Sequence, residues 1–238
     1  PWLAFMRSGD RKFLKFAESN TRHLMEVGTI RWNPVWPNAV GFSRRHHECI
    51  WLGGGDTGHS MLDPFLDYYY ATGYYPAREA AERMAAGMAR VPTGTWRYLS
   101  NPIAGLARLY LDTQNPEYKK HADRLWNVSC YPEKNDWWLM DHGDRMVLWY
   151  SQLNPQCKEL WKAWTLNPEK KGRFTGVDVL TALYLETGDP RYAEAAARQH
   201  PQGVPDYRKN NLGTQHLLAG LRALCYAVPP VAAGEGGR

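Results

Sequence analysis

The sequence is poor in cysteine, and what it has is scattered. Cys49, Cys130, Cys157 and Cys225 form no CxxC pair and no zinc-ligand spacing. Neither a disulfide framework nor a structural zinc module is expected, and buried free thiols are the simpler reading; which of the four are paired is not legible from their spacing. No stretch approaches the roughly 18–20 consecutive apolar residues of a membrane-spanning helix, so no membrane partner is expected. The formal net charge is +5, but its Lys and Arg are dispersed rather than gathered in a tract. That suits an anionic partner and argues against nucleic acid. The glycine run Gly53–Gly55 is not followed by Gly-Lys-Ser/Thr, so it is no phosphate loop. There is also no initiator Met and no secretion signal. The chain opens on PWLAFMRSGDRKF, which reads as the end of a helix already under way. A piece of a longer protein is expected, and localisation is left open.

What is present is ordinary bulk and unusual tryptophan. The 238 residues, 44% hydrophobic and 22% charged, suffice for one large or two small domains with a sizeable core. Eleven tryptophans are many; in helices they are expected in the core, and in loops they stack on sugars or bases. Asn127-Val128-Ser129 matches a glycosylation sequon, a weak signal by itself.

The strongest signal is a repeat. LYLETGDPRYAEAAARQ (183–199), YYYATGYYPAREAAERM (68–84), LYLDTQNPEYKKHADRL (109–125) and WYSQLNPQCKELWKAW (149–164) share one plan. An apolar helix end meets a short turn, then a proline, then a charged helix. RSGDRKFLKFAE (7–18) is a fifth copy, with Arg11 in the proline's place. Gly73 and Gly188 suit the left-handed conformation that ends a helix. Asn115 and Asp189 suit the cap of the next one, and Pro116 and Pro190 suit its first position, where no N–H is needed. The prolines at 76, 116, 155 and 190 lie 40, 39 and 35 residues apart, the length of a helical hairpin.

The members of a pair differ. First helices such as MLDPFLDYYYA are apolar around much of their surface, so they are expected inside, with Tyr68, Tyr69 and Tyr70 in the core. Second helices such as AREAAERMAAGMAR carry Arg78, Glu79, Glu82 and Arg83 opposite a stripe of small residues, so they are expected outside. His121 and His200 fall on second helices and are expected at the surface. A sixth hairpin begins within Asn211–Tyr226. Six hairpins in two layers predict an all-α fold, an (α/α)6 toroid over residues 1–227, its first hairpin truncated, with 228–238 a flexible tail or linker. An open α-solenoid is the alternative.

Turns within hairpins are short, whereas connections between them are long: roughly 28–57, 91–101, 130–140, 165–174 and 200–210. In an up-down array these connections share one end, with the N-termini of the inner helices, which favour anions. Long connections in compact domains are usually functional. This rim holds Arg44, Arg45, His46, His47, Trp51, Asp56 and His59 in the first connection, and Trp96, Arg97, Tyr98 and Asn101 in the second. Trp137, Trp138, Asp141, His142, Asp144 and Arg145 lie in or just after the third, and Asp206 and Arg208 in the fifth. Arginine pairs with carboxylates bidentately, and tryptophan offers faces to sugar rings. Asp56-Thr57-Gly58-His59 also reads as a plain helix-capping signature. His46, His47, Asp56 and His59 match no strong metal spacing; no cofactor is required, though a divalent cation is compatible.

SGDRKFLKFAESNTRHLMEV, a long His-containing loop and GGGDTGHSMLDPFLDYYYATG together resemble the central toroid of exo-rhamnogalacturonan lyase-like (YetA-like) proteins of the six-hairpin superfamily. By motif the likeness covers about residues 7–90, and by hairpin pattern the remainder. It implies flanking β-domains, expected in a longer parent protein, and β-elimination on a uronate-containing, pectin- or rhamnogalacturonan-type polysaccharide. That reaction needs a group to neutralise the uronate carboxylate, a base for the C5 proton and an acid for the leaving oxygen. Arg44, Arg45 and Asn101 are candidate neutralisers; His46, His47 and His59 are candidate bases; Tyr98 and His142 are candidate acids. Trp51, Asp56, Trp96, Arg97, Trp137, Trp138, Asp141, Asp144, Arg145 and Arg208 are candidate substrate contacts. A glycoside hydrolase would instead pair Asp56 with Asp141 or Asp144, with Asp178 and Asp206 as spares. A non-catalytic helical-repeat binding module is the third alternative.

Overall fold

A computed structural model describes residues 1–44, 55–92, 97–129, 143–166 and 177–199. The described residues are 79% helical, consistent with an all-α fold, and among them β1 and β2 are the only strands. They fall into two compact units, divided between His142 and Gly143.

The first unit holds three hairpins. They are α1 (Trp2–Ser8) with α2 (Arg11–His23), α3 (Asp63–Thr72) with α4 (Tyr75–Ala89), and α5 (Arg97–Thr113) with α6 (Pro116–Ser129). The second unit holds two more: α7 (Gly143–Trp149) with α8 (Pro155–Leu166), and α9 (Val177–Thr187) with α10 (Pro190–Gln199). Every turn expected from the repeat lies between the members of a pair.

The turn chemistry recurs residue by residue. Gly9, Gly73 and Gly188 take the left-handed conformation, with φ of 65°, 73° and 68°, which costs little without a Cβ. Gln114 takes it at φ 57°, so the device tolerates a side chain where the sequence offers no glycine. The residue before each carries a hydroxyl. Thr72, Thr113 and Thr187 each donate to the carbonyl four residues back, at 2.7, 2.6 and 2.6 Å. Each hydroxyl also accepts from the backbone N–H two residues on, at 3.2, 3.1 and 3.2 Å. Ser8 does the same in the first turn. The next helix is then capped: Asp10, Asn115, Asn154 and Asp189 accept from the N–H of Lys12, Glu117, Gln156 and Arg191. Pro116, Pro155 and Pro190 open α6, α8 and α10.

Burial is continuous along much of the first helices α5 and α9, as the patterns require, whereas among the described side chains of α1 only Trp2 is buried. In α5 every residue from Leu99 to Leu109 is buried, which needs cover on several sides. In α4 burial is confined to Ala77, Ala80, Ala81, Met84, Ala85, Gly87 and Met88, while Glu79 and Arg83 face solvent. Each fully buried Leu, Ile or Met contributes about 1.5–3 kcal/mol, so this inner layer, not the turns, carries the stability. The first hairpin packs on α3 through Tyr68. Trp2 stacks on it at 5.1 Å, and Arg22 Nε donates to its hydroxyl at 2.9 Å. In the second unit α7 packs mainly on α9, so first helices of successive hairpins meet there too.

Two expectations change. Of the tyrosine triplet only Tyr68 is buried; Tyr69 is half-buried and Tyr70 is exposed, because successive helical residues point about 100° apart. His121 is half-buried on α6 rather than at the surface. The helical Trp2, Trp126 and Trp161 are core residues, as expected, and the loop residues Trp32 and Trp36 are exposed. Cys157 is a buried free thiol, as expected; Cys49, Cys130, Cys225 and His200 lie outside the described residues, as do 211–238.

Candidate functional site

The connection from Thr29 to Leu62 joins the first hairpin to α3. Its base is closed by backbone bonds: Ile30 N–H donates to Phe42 O at 2.9 Å and Gly41 N–H to Ile30 O at 2.8 Å. Beyond it, β1 (Ser43–Arg44) pairs antiparallel with β2 (Gly55–Asp56), Ser43 opposite Asp56 and Arg44 opposite Gly55. Gly55 has a steric reason to be glycine, because a Cβ there would stand 2.4 Å from the Cβ of Phe42. The ladder delivers Asp56 to a single 3₁₀ turn, Thr57–His59, just before α3.

Asp56 is buried and uses both carboxylate oxygens. Oδ1 accepts from Gly58 N–H at 2.8 Å, which caps the turn. Oδ2 lies 2.8 Å from His59 Nδ1. A buried carboxylate needs donors, so Nδ1 carries the hydrogen of that bond, and in the neutral ring Nε2 is then the basic nitrogen. The His59 side chain is 28% exposed and that of Asp56 only 2%, so the pair has a shielded anchor and an accessible imidazole.

The surrounding contacts fix this turn. Ser60 Oγ donates to Asp56 O at 2.7 Å and accepts from Ser43 N–H at 2.9 Å, joining the turn to β1. Asn101, on α5, is fully buried, and its Nδ2 donates to Gly58 O at 2.8 Å. The N-terminal part of α5 packs on the Thr57–His59 turn, and half-buried Tyr98 lies one turn before Asn101 on the same helix face. Arg44 donates from Nη2 to Val27 O. Thus Asp56, His59 and Asn101 are brought together, with Tyr98 on the adjoining turn and Arg44 at the ladder. Arg145 is buried in α7 of the second unit. Arg45, His46, His47, Trp51, Trp96, Trp137, Trp138, Asp141, His142 and Arg208 lie outside the described residues, as do the side chains of Arg97 and Asp144.

A second polar cluster joins α3 to α5. Arg108 donates to Asp63 Oδ1 at 3.0 Å and to Asp67 Oδ1 at 2.7 Å, all three largely shielded from solvent. One turn further on, partial desolvation pushes the Asp112 carboxyl above its ordinary range, against the pull of Arg108. Desolvation likewise raises the neighbouring Tyr70 hydroxyl, with Asp112 adding to the shift. The levels of contact (Asn101 with Gly58, Arg108 with Asp63 and Asp67, Asp112 with Tyr70) make α3 and α5 parallel neighbours. Reading the sequence missed Ser60 and Arg108. Two acids four residues apart on an otherwise apolar helix, and one arginine inside GLARLYL, were the signal for the latter.

Comparison with known proteins returns no matching family model, no matching curated protein and no matching solved structure. The chemistry of the site therefore rests on its own geometry. Among the described residues no group of three or more His, Cys, Asp or Glu side chains is placed to hold a metal ion, and no helix is long and apolar enough to cross a membrane.

Proposed function

We propose that this chain is the helical domain of a polysaccharide lyase of the six-hairpin type, an (α/α)6 toroid resembling the exo-rhamnogalacturonan lyase-like proteins. It acts on a uronate-containing polysaccharide by β-elimination. The observation that carries the proposal is the buried Asp56 held 2.8 Å from Nδ1 of the more accessible His59. A carboxylate behind one imidazole nitrogen orients the ring, fixes its tautomer and stabilises the imidazolium that forms when the other nitrogen takes a proton. The five hairpins and the burial of α3, α5 and α9 support the two-layer architecture.

In this reading His59 Nε2 removes the uronate C5 proton. The electron pair of that C–H bond forms the C4–C5 double bond, and the C4–O bond breaks. The leaving oxygen takes a proton from an acid, for which Tyr98 is the candidate on the packed helix and His142 the candidate in the third connection. Arg44, with Arg45 beside it in sequence, neutralises the carboxylate and so acidifies the C5 proton. Asn101, its amide nitrogen committed to Gly58 O, contributes by holding the turn.

A hydrolase built on Asp56 fits less well. Both oxygens of that carboxylate are engaged and the side chain is shielded, whereas hydrolysis requires carboxyl groups that reach the glycosidic bond. The test incubates the protein, alone and within any longer parent chain, with a panel of acidic polysaccharides, following ultraviolet absorbance and reducing ends together. Elimination raises both. A rise in reducing ends without absorbance would replace the lyase with a hydrolase, and binding without either would make the chain a binding module.

A further inference from the structure

The connection that carries the dyad also carries a second feature, which that chemistry does not use. Between its closed base at Ile30 and Phe42 the chain makes an excursion whose tip exposes Trp32 by 70%, Val35 by 62% and Trp36 by 54%. Three large apolar side chains exposed within five residues mark an interaction surface. The excursion is also built to hold shape. Asn33 is buried beneath the tip, and its Oδ1 accepts from Val35 N–H at 3.1 Å and Trp36 N–H at 2.8 Å. Trp36 O in turn accepts from Ala39 N–H at 2.9 Å, and Pro34 and Pro37 restrict the backbone on either side. Two indoles on a braced loop bind with little ordering cost.

Charge narrows the partner. From Val27 to His47 there is no Asp or Glu, while Arg31, Arg44 and Arg45 fall within the same span. Arg31 is exposed beside Trp32 and braced on Met25 O by Nε at 3.3 Å and Nη2 at 3.2 Å. The ligand thus needs flat apolar faces and negative charge in one molecule. A uronate chain has both, in the C–H faces of its rings and its carboxylates. The loop continues directly into β1, which pairs with the strand bearing Asp56, so platform and dyad share one framework.

We propose that Trp32 and Trp36 form a stacking platform, with Arg31 as its carboxylate contact, that binds a stretch of acidic polysaccharide beyond the bond being cleaved. The choice of a saccharide rests on the lyase reading; the need for an anionic ligand with flat faces does not. The test is calorimetric titration of the full chain with oligogalacturonate, a neutral oligosaccharide of the same length and a single-stranded oligonucleotide. The proteins are the wild type, Trp32→Ala, Trp36→Ala, their double variant and Arg31→Gln, each checked by circular dichroism. Because both indoles are exposed, the variants should keep the wild-type spectrum. Oligogalacturonate should bind the wild type, each single tryptophan variant about tenfold more weakly, and the double variant below detection. Arg31→Gln should lower the preference for acidic over neutral chains.

Unchanged affinity in the double variant, no binding by the wild type, or tighter binding of the oligonucleotide would each overturn the platform. Turnover plays no part in these titrations, so the two ideas fail separately. Binding lost with the tryptophans in a protein that makes no unsaturated product removes the lyase alone. Product formed by a protein whose binding ignores both tryptophans removes the platform alone.

Discussion

The turns inside the hairpins and the connection that carries the dyad both hold backbone with polar side chains, but over different spans. In the turns, Thr72, Thr113 and Thr187 reach four residues back, and Asn115 and Asp189 two residues on. In the connection, Ser60 holds a residue 17 positions away, and Asn101 holds one 43 away. The turns are largely exposed and repeat with small variations; the Asp56 turn is more buried and, among the described residues, has no second copy. A local bond can be replaced by water when it is lost. A long-range bond to a buried group cannot, so its loss leaves that group unsatisfied. The turns set where helices end, whereas the long-range bonds set where the site sits.

This difference predicts a ranking of effects, measured as shifts in stability by urea unfolding. The largest should follow from Arg108→Leu, which leaves two shielded acids without their cation. It should cost about 3–5 kcal/mol, and a loss below 1 kcal/mol would show that water reaches Asp63 and Asp67. Next is Asn101→Ala, which strips the buried Gly58 carbonyl of its donor and should cost about 1–3 kcal/mol. The cap variant Asn115→Ala should cost about 1 kcal/mol. Should Asn115→Ala prove as damaging as Asn101→Ala, the distinction between the two regions would collapse.

The smallest effect is one of pH. Partial desolvation raises the folded-state pKa of Asp112, so its favourable contribution is complete below the unfolded carboxylate range. That contribution is lost as pH rises through the raised folded value. Asp112→Asn should therefore gain on the wild type as pH passes from acid to neutral. Equal unfolding midpoints at both ends would contradict the assigned desolvation.

The same contrast explains how much was legible in the sequence. Gly73, Asn115, Pro155 and Asp189 announced the turns because a turn's chemistry is contained in a few neighbouring residues. The hydroxyl residue before four of the turns, Ser8, Thr72, Thr113 and Thr187, was equally local; its doubled bond, back to a carbonyl and on to an N–H, was there to be read. The tyrosine triplet misled because apolar composition was weighed without the 100° rotation between residues. At the site, Asp56 and His59 were legible as a cap signature with a histidine beside it, but not as a shielded pair, since that needs Ser60, Ser43 and α5 around them. Asn101 drew notice as an amide near a rim; its hold on Gly58 depends on how α5 packs, which no local pattern encodes. Trp32 and Trp36 were lost among eleven tryptophans until exposure set them apart.

The account stands on Asp56 and His59 acting together on a uronate chain. The most direct measurement compares the wild type, His59→Gln and Asp56→Asn on the best acidic polysaccharide of the panel, following ultraviolet absorbance, with circular dichroism confirming the fold. The wild type should generate the unsaturated product. His59→Gln should lower its rate by about 10²–10⁴-fold, and Asp56→Asn should reduce it less while altering the pH profile. Wild-type rates in a folded His59→Gln protein would contradict the account.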